Sequence, residues 1–136
     1  IGHSFGGAAV GAALALGFRP GRIVIASAPT SVSRLPLMHA EHAGLPPRAM
    51  ARYLRMLDEN AGRPIAELDL VSTGPACGIP ALLVHDVGDA VIPYSDAEAL
   101  AAAWPELSVM TTEGLGHRDI LSDARVVRRI ADFVAG

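Results

Sequence analysis

A single cysteine, Cys77, stands among the 136 residues of the chain, which excludes an intramolecular disulfide and any dependence on an oxidising compartment. Its thiol reads as small apolar filler. Aromatics are scarce, with one Trp, two Tyr and three Phe. The basic residues form no stripe, and Lys+Arg 11 against Asp+Glu 14 leaves a net charge of −3. Nothing in that pattern would track a nucleic-acid backbone, so nucleic acid is not expected as a partner. Long apolar runs are absent too. The stretch from Phe5 to Phe18 is short and filled with glycine and alanine, too short to span a bilayer and without the basic leader and cleavage site of a secretory signal. The chain is therefore read as cytoplasmic, with its oligomeric state open. Disorder is excluded by a hydrophobic content of 51%, enough for one buried core.

What the chain does have is concentrated in three places. Gly2-His3-Ser4-Phe5-Gly6 spells GxSxG and runs into Gly7 and a helix of small residues. Such an elbow takes the chain from a strand into a helix through a strained turn, with the flanking glycines leaving room for the backbone and the serine hydroxyl pushed outward. Phe5, next after the serine, would offer its backbone N–H to a developing oxyanion at a helix N-terminus. The second place follows Ala81-Leu82-Leu83-Val84, an apolar run that reads as a buried parallel strand. It leads into His85-Asp86-Val87-Gly88-Asp89, so either Asp86 or Asp89 could present a carboxylate at the strand end. The third is His117, flanked by glycine in Glu113-Gly114-Leu115-Gly116-His117, after a strand read over residues 107–112.

GHSFGG at 2–7, HDVGDAVIP at 85–93 and TEGLGHRDIL at 112–121 together resemble the α/β-hydrolase superfamily, from its nucleophile elbow onward. They are similar in particular to bacterial α/β hydrolases with acid and histidine loops of this wording. The resemblance covers nearly the whole chain and is weakest over residues 31–75. It implies Ser4 as nucleophile, Asp89 as acid and His117 as base, with Asp86 left to structure its loop. It also implies the chemistry: His117 takes the Ser4 proton, Asp89 holds the imidazole in the right tautomer, and water releases the acyl group. The expected activity is a serine hydrolase acting on a carboxylic ester or related small-molecule acyl substrate, with no cofactor. Acyl transfer to another acceptor, amide or thioester cleavage, and noncatalytic ligand binding are the alternatives.

In that fold several strands and part of the oxyanion hole precede the serine, whereas only Ile1 to His3 precede it here. Residues 1–136 are accordingly read as a partial domain, the C-terminal part of an α/β-hydrolase fold: a mostly parallel sheet, flanking helices and a cap-like helical segment over 30–75. The isolated polypeptide is expected to expose a sheet edge, to associate and to hydrolyse little by itself.

The rest reads as scaffold. A helix is expected over 5–17 and a strand over 22–26. Within 30–75, Met50, Tyr53, Leu54 and Leu57 recur at i, i+3, i+4 and i+7 between Pro47 and Gly62, which predicts an amphipathic helix with Arg48, Arg52 and Arg55 on its solvated face. His39 and His42 bracket Glu41 but lack a third ligand, so no metal is expected and they read as solvated. His85 reads as a hydrogen-bonded strand-end residue and His3 as a packing residue. Ser95 with Glu98 suggests a capping box for the helix that reaches Trp104. Val126, Ile130, Phe133 and Val134 predict a last helix covering one sheet face.

Overall fold

The computed structural model describes residues 1–136. Four strands, β1 (Gly2–His3), β2 (Ile23–Ala26), β3 (Ala81–Asp86) and β4 (Ser108–Thr112), pair in parallel in the order β1-β2-β3-β4. The register sets Ile23 beside Ala81 and Ala26 beside Val84, and then Leu82 beside Ser108 and Asp86 beside Thr112. All four residues of β2 and all six of β3 are buried, which is why β2 and the first four residues of β3 are written as unbroken apolar runs: helices cover both faces of this sheet.

Alternation along the strands divides the core in two. Ile23, Ile25, Ala81 and Leu83 face one layer, built from Leu14 of α1 (Phe5–Ala15), Leu70 of α4 (Leu70–Thr73), Leu100 of α5 (Tyr94–Ala103) and Trp104 just beyond it. Val24, Leu82 and Val84 face the other, with Ile120 and Val126. Each such side chain is worth roughly 1.5–3 kcal/mol when fully buried, so these two short strands anchor the chain.

α1 packs closely against its neighbours because it carries glycine at the contacts. A Cβ on Gly7 would run into the Ala28 side chain, and one on Gly11 would come 2.6 Å from the Leu68 carbonyl oxygen. α2 (Arg34–His42), α3 (Pro47–Ala61) and a 3₁₀ turn (Ile65–Leu68) follow β2. On α3, Met50, Tyr53, Leu54 and Leu57 are half-buried while Arg48, Arg52 and Arg55 are exposed, the division its sequence period demands. Pro47 starts this helix and Gly62, at φ 67°, caps it. Asp69 ties the segment down, accepting from the Ser33 N–H at 2.9 Å and from the Ser33 hydroxyl. The end of the 30–75 stretch belongs to the body rather than to an overlying segment, since Leu70 is 1% exposed in the core.

Two local expectations need correction. α5 is entered through Pro93, in an extended conformation, and Tyr94 already begins the helix with no side-chain cap; Ser95 lies one residue inside, so the Ser95–Glu98 capping box does not form. On α7 (Ala124–Ala135), Val126 is buried and Ile130 and Phe133 pack beside it, but Val134 is 48% exposed. The start of this helix is instead fixed by Asp123, whose carboxylate accepts from the Arg125 and Val126 N–H groups.

Candidate active site

Ser4 sits between β1 and α1 at φ 54°, ψ −130°, a backbone conformation that costs a non-glycine residue on the order of 1–3 kcal/mol. Its surroundings hold it there. The Ser4 N–H donates to the Ala26 carbonyl at 3.0 Å, and the Gly7 N–H closes back on the Ser4 carbonyl at 2.9 Å. Gly2 has no room for a Cβ, which would meet the backbone of Gly6 and Gly7. Gly6 differs: a Cβ there would meet nothing within 4 Å, so of the two flanking glycines only Gly2 is sterically required by these residues. Phe5 opens the helix, where its N–H has no intrahelical carbonyl to satisfy it.

The other two candidates come to this turn from the far side of the sheet. β3 ends in the loop that carries Asp89, and the loop after β4 carries His117 on the short α6 (Gly116–Asp119). His117 Nε2 lies 3.0 Å from Ser4 Oγ, and its Nδ1 lies 2.8 Å from Asp89 Oδ2. With Nδ1–H donating to the carboxylate, Nε2 is left as the acceptor for the serine hydroxyl. Asp89 is 7% exposed. Burial by itself would raise its pKa, but the Ile92 N–H, the His117 ring and the Val91 N–H more than offset it and hold the carboxyl below its ordinary value. The acid is thus kept as a carboxylate.

Asp86 has a different job. Fully buried, it accepts from the Thr112 hydroxyl at 2.7 Å, the Leu115 N–H at 2.9 Å and the Gly88 N–H at 2.9 Å. It thereby clasps the acid loop to the histidine loop. Here too burial pushes the pKa up, and the Leu115 and Thr112 donors overcome it, so the carboxyl lies below its ordinary value. A depressed carboxyl contributes stability that is present above its unfolded value and is lost as pH falls through the folded one. Both Asp86 and Asp89 therefore predict a loss of stability on acidification below about pH 3.8, the ordinary value for each. Denaturant unfolding followed from pH 7 to pH 3 should show that loss, and Asp86→Asn should flatten part of it by lowering the neutral-pH stability. An unchanged slope in the variant would remove Asp86 from this account.

His3 contributes more than packing. Its Nε2–H donates to the His117 carbonyl oxygen at 2.8 Å, and the two rings lie 4.9 Å apart. It thus steadies the backbone of the histidine it touches. Nothing in the spacing of one sequence marks the residue between Gly2 and Ser4 for that contact. His85 is fully buried at the end of β3 and donates from Nε2 to the Ile92 carbonyl at 3.0 Å, with Asp89 Oδ2 3.6 Å away. It fixes the turn that presents Asp89. His39 and His42 are exposed on α2.

Solved structures share this architecture over almost all of the chain. The esterase RhEst1 from Rhodococcus sp. ECU1013 superposes with a TM-score of 0.67 at 20% identity, covering 99% of this chain and 64% of its own. The esterase domain of a Rhodothermus marinus protein gives 0.63 at 22% identity, covering 98% and 55%. The thermophilic esterase Est2 from the Planctomycetes species Thermogutta terrifontis gives 0.67 at 16%, covering 98% and 52%. The chain thus spans between about half and two thirds of the length of these proteins. No match was found among curated protein sequences. The parallel sheet with helices on both faces is the α/β-hydrolase fold, and the molecule is a member of that superfamily. Within it, the chain belongs to the TAP-like protein family, whose model matches residues 49–135.

Proposed function

We propose that the whole protein is a serine hydrolase acting on carboxylic esters of small molecules, with Ser4 as nucleophile, His117 as general base and acid, and Asp89 as the carboxylate that orients the imidazole. The reading rests above all on one observation: Ser4 Oγ, the His117 ring and Asp89 Oδ2 form a continuous hydrogen-bonded line at 3.0 and 2.8 Å. It is supported by the strained turn at Ser4 and by the helix start at Phe5.

The chemistry runs as follows. Ser4 Oγ attacks the ester carbonyl carbon as its proton passes to His117 Nε2, and the positive imidazolium is balanced by Asp89. The oxyanion of the tetrahedral intermediate is met by the Phe5 N–H at the positive end of α1. Collapse expels the alcohol, which takes the proton from His117 and leaves an acyl-serine. Water, deprotonated by the same nitrogen, attacks that acyl group; the acid leaves and Ser4 recovers its proton. Within residues 30–75, α2, α3 and the 3₁₀ turn, lying over the outer side of α1, are proposed as a cap that shapes access.

The test is covalent. A fluorophosphonate should label the whole protein once, peptide mapping should place the label on Ser4, and hydrolysis of a chromogenic ester should fall in proportion to labelling. Full ester turnover by the labelled protein would defeat the proposal.

A further inference from the structure

Between α1 and the residues 30–75 lies a cavity of about 280 Å³. Its floor is Phe5, Ala8, Ala9 and Ala12, which stand at i, i+3, i+4 and i+7 and so form one face of α1 beginning at the residue after Ser4. Leu57 of α3 and Ile65 of the 3₁₀ turn close it from above, and no residue of its lining carries a polar side chain. A ligand bearing charge or hydrogen-bonding groups would lose its hydration there without replacement. An alkyl chain would lose nothing.

We infer that this cavity receives the acyl chain of the substrate, and that the substrates are esters of medium-length, unbranched, apolar carboxylic acids. The inference rests on the serine-hydrolase reading above and adds the substrate class to it. The acyl side is favoured over the alcohol side by position. In the acyl-enzyme the carbonyl carbon is bonded to Ser4 Oγ with its oxygen at the Phe5 N–H, and Phe5 is itself part of the cavity wall. The alcohol must instead leave beside His117 Nε2, which protonates it, and no residue of the acid or histidine loop lines the cavity. The length follows from the floor: the seven helical rises from Phe5 to Ala12 span about 10 Å. The cavity volume of about 280 Å³ limits the chain it can hold, so selectivity should have an upper bound.

The whole protein would be assayed against p-nitrophenyl acetate, butyrate, hexanoate, octanoate and dodecanoate, and against acetates of alcohols of graded length. Across the acyl series kcat/KM should rise roughly fourfold per added methylene until the cavity is filled, then fall. The alcohol series should stay nearly flat. Ala12→Leu, which fills the far end and suits a helix, should lower the octanoate-to-butyrate ratio of kcat/KM by roughly an order of magnitude or more. Leu57→Ala should move the optimum to longer chains. Each comparison is a ratio within one protein, so a general loss of folded material cancels. A flat acyl profile, a steep alcohol profile, or ratios unmoved in both variants would overturn the inference while Ser4 labelling still stood. Absence of labelling at Ser4 would instead remove the reading on which it depends.

Discussion

Ser4→Ala in the whole protein should abolish fluorophosphonate labelling and lower ester kcat on the order of 10⁶-fold, leaving only what binding and the oxyanion donors supply. The size of the effect comes from the arrangement around the hydroxyl. Ser4 Oγ is the group on the His117 Nε2 side of the hydrogen-bonded line, and its neighbour Phe5 supplies the N–H beside it. Alanine keeps the turn, because the elbow is held by the Ala26 and Gly7 backbone bonds rather than by the side chain. Folding should therefore be intact, and relief of no strain is expected, since alanine suffers at φ 54° as serine does. A thermal melt within a degree or two of the parent, with turnover lost, is the expected pair of results. Retained turnover would end the serine-hydrolase proposal.

The second large effect separates the two carboxylates. Asp89→Asn should cost on the order of 10⁴-fold in kcat with little change in the melting temperature, because an amide facing His117 Nδ1 favours the tautomer with Nε2 protonated and unable to accept from Ser4. Asp86→Asn should do the reverse. Its three donors, from Thr112, Leu115 and Gly88, would face an amide that can accept at only one atom, at a cost of about 1–3 kcal/mol in stability. Its kcat should fall far less, since Asp86 touches neither His117 nor Ser4 among its hydrogen bonds. Parallel measurement of kcat and denaturant midpoint for both variants checks the division, and the opposite ranking would transfer the acid's role to Asp86.

That division was the one the spacing of residues could not make. Asp86 and Asp89 both follow β3, three positions apart, and only the direction of each side chain distinguishes the one that meets Thr112 and Leu115 from the one that meets His117. The strands were more readable for a physical reason. β2 and the Ala81–Val84 part of β3 are buried on both faces and so had to be apolar. The helix on α3 was readable because one face is solvated, which imposes a period. By contrast, α1 packs by close backbone approach at Gly7 and Gly11 and leaves almost no amphipathic pattern, so only its place after the elbow identified it. The Ser95–Glu98 pair had the letters of a cap, yet Pro93 fixes an extended entry and the helix begins before Ser95 can serve. His3 was out of reach altogether, because its partner is a backbone carbonyl 114 positions away.

The clasp made by Asp86 has a consequence for how such a molecule can change over generations. It binds the acid-bearing and histidine-bearing loops to each other from beneath, with donors drawn only from those loops and from β4. The residues 30–75 take no part in it. Substitutions or insertions in α2 and α3 should therefore leave the relative positions of Asp89 and the His117 imidazole untouched. The segment over α1 and the Asp86-clasped loops can thus vary independently, and an engineer could alter the first without disturbing the second.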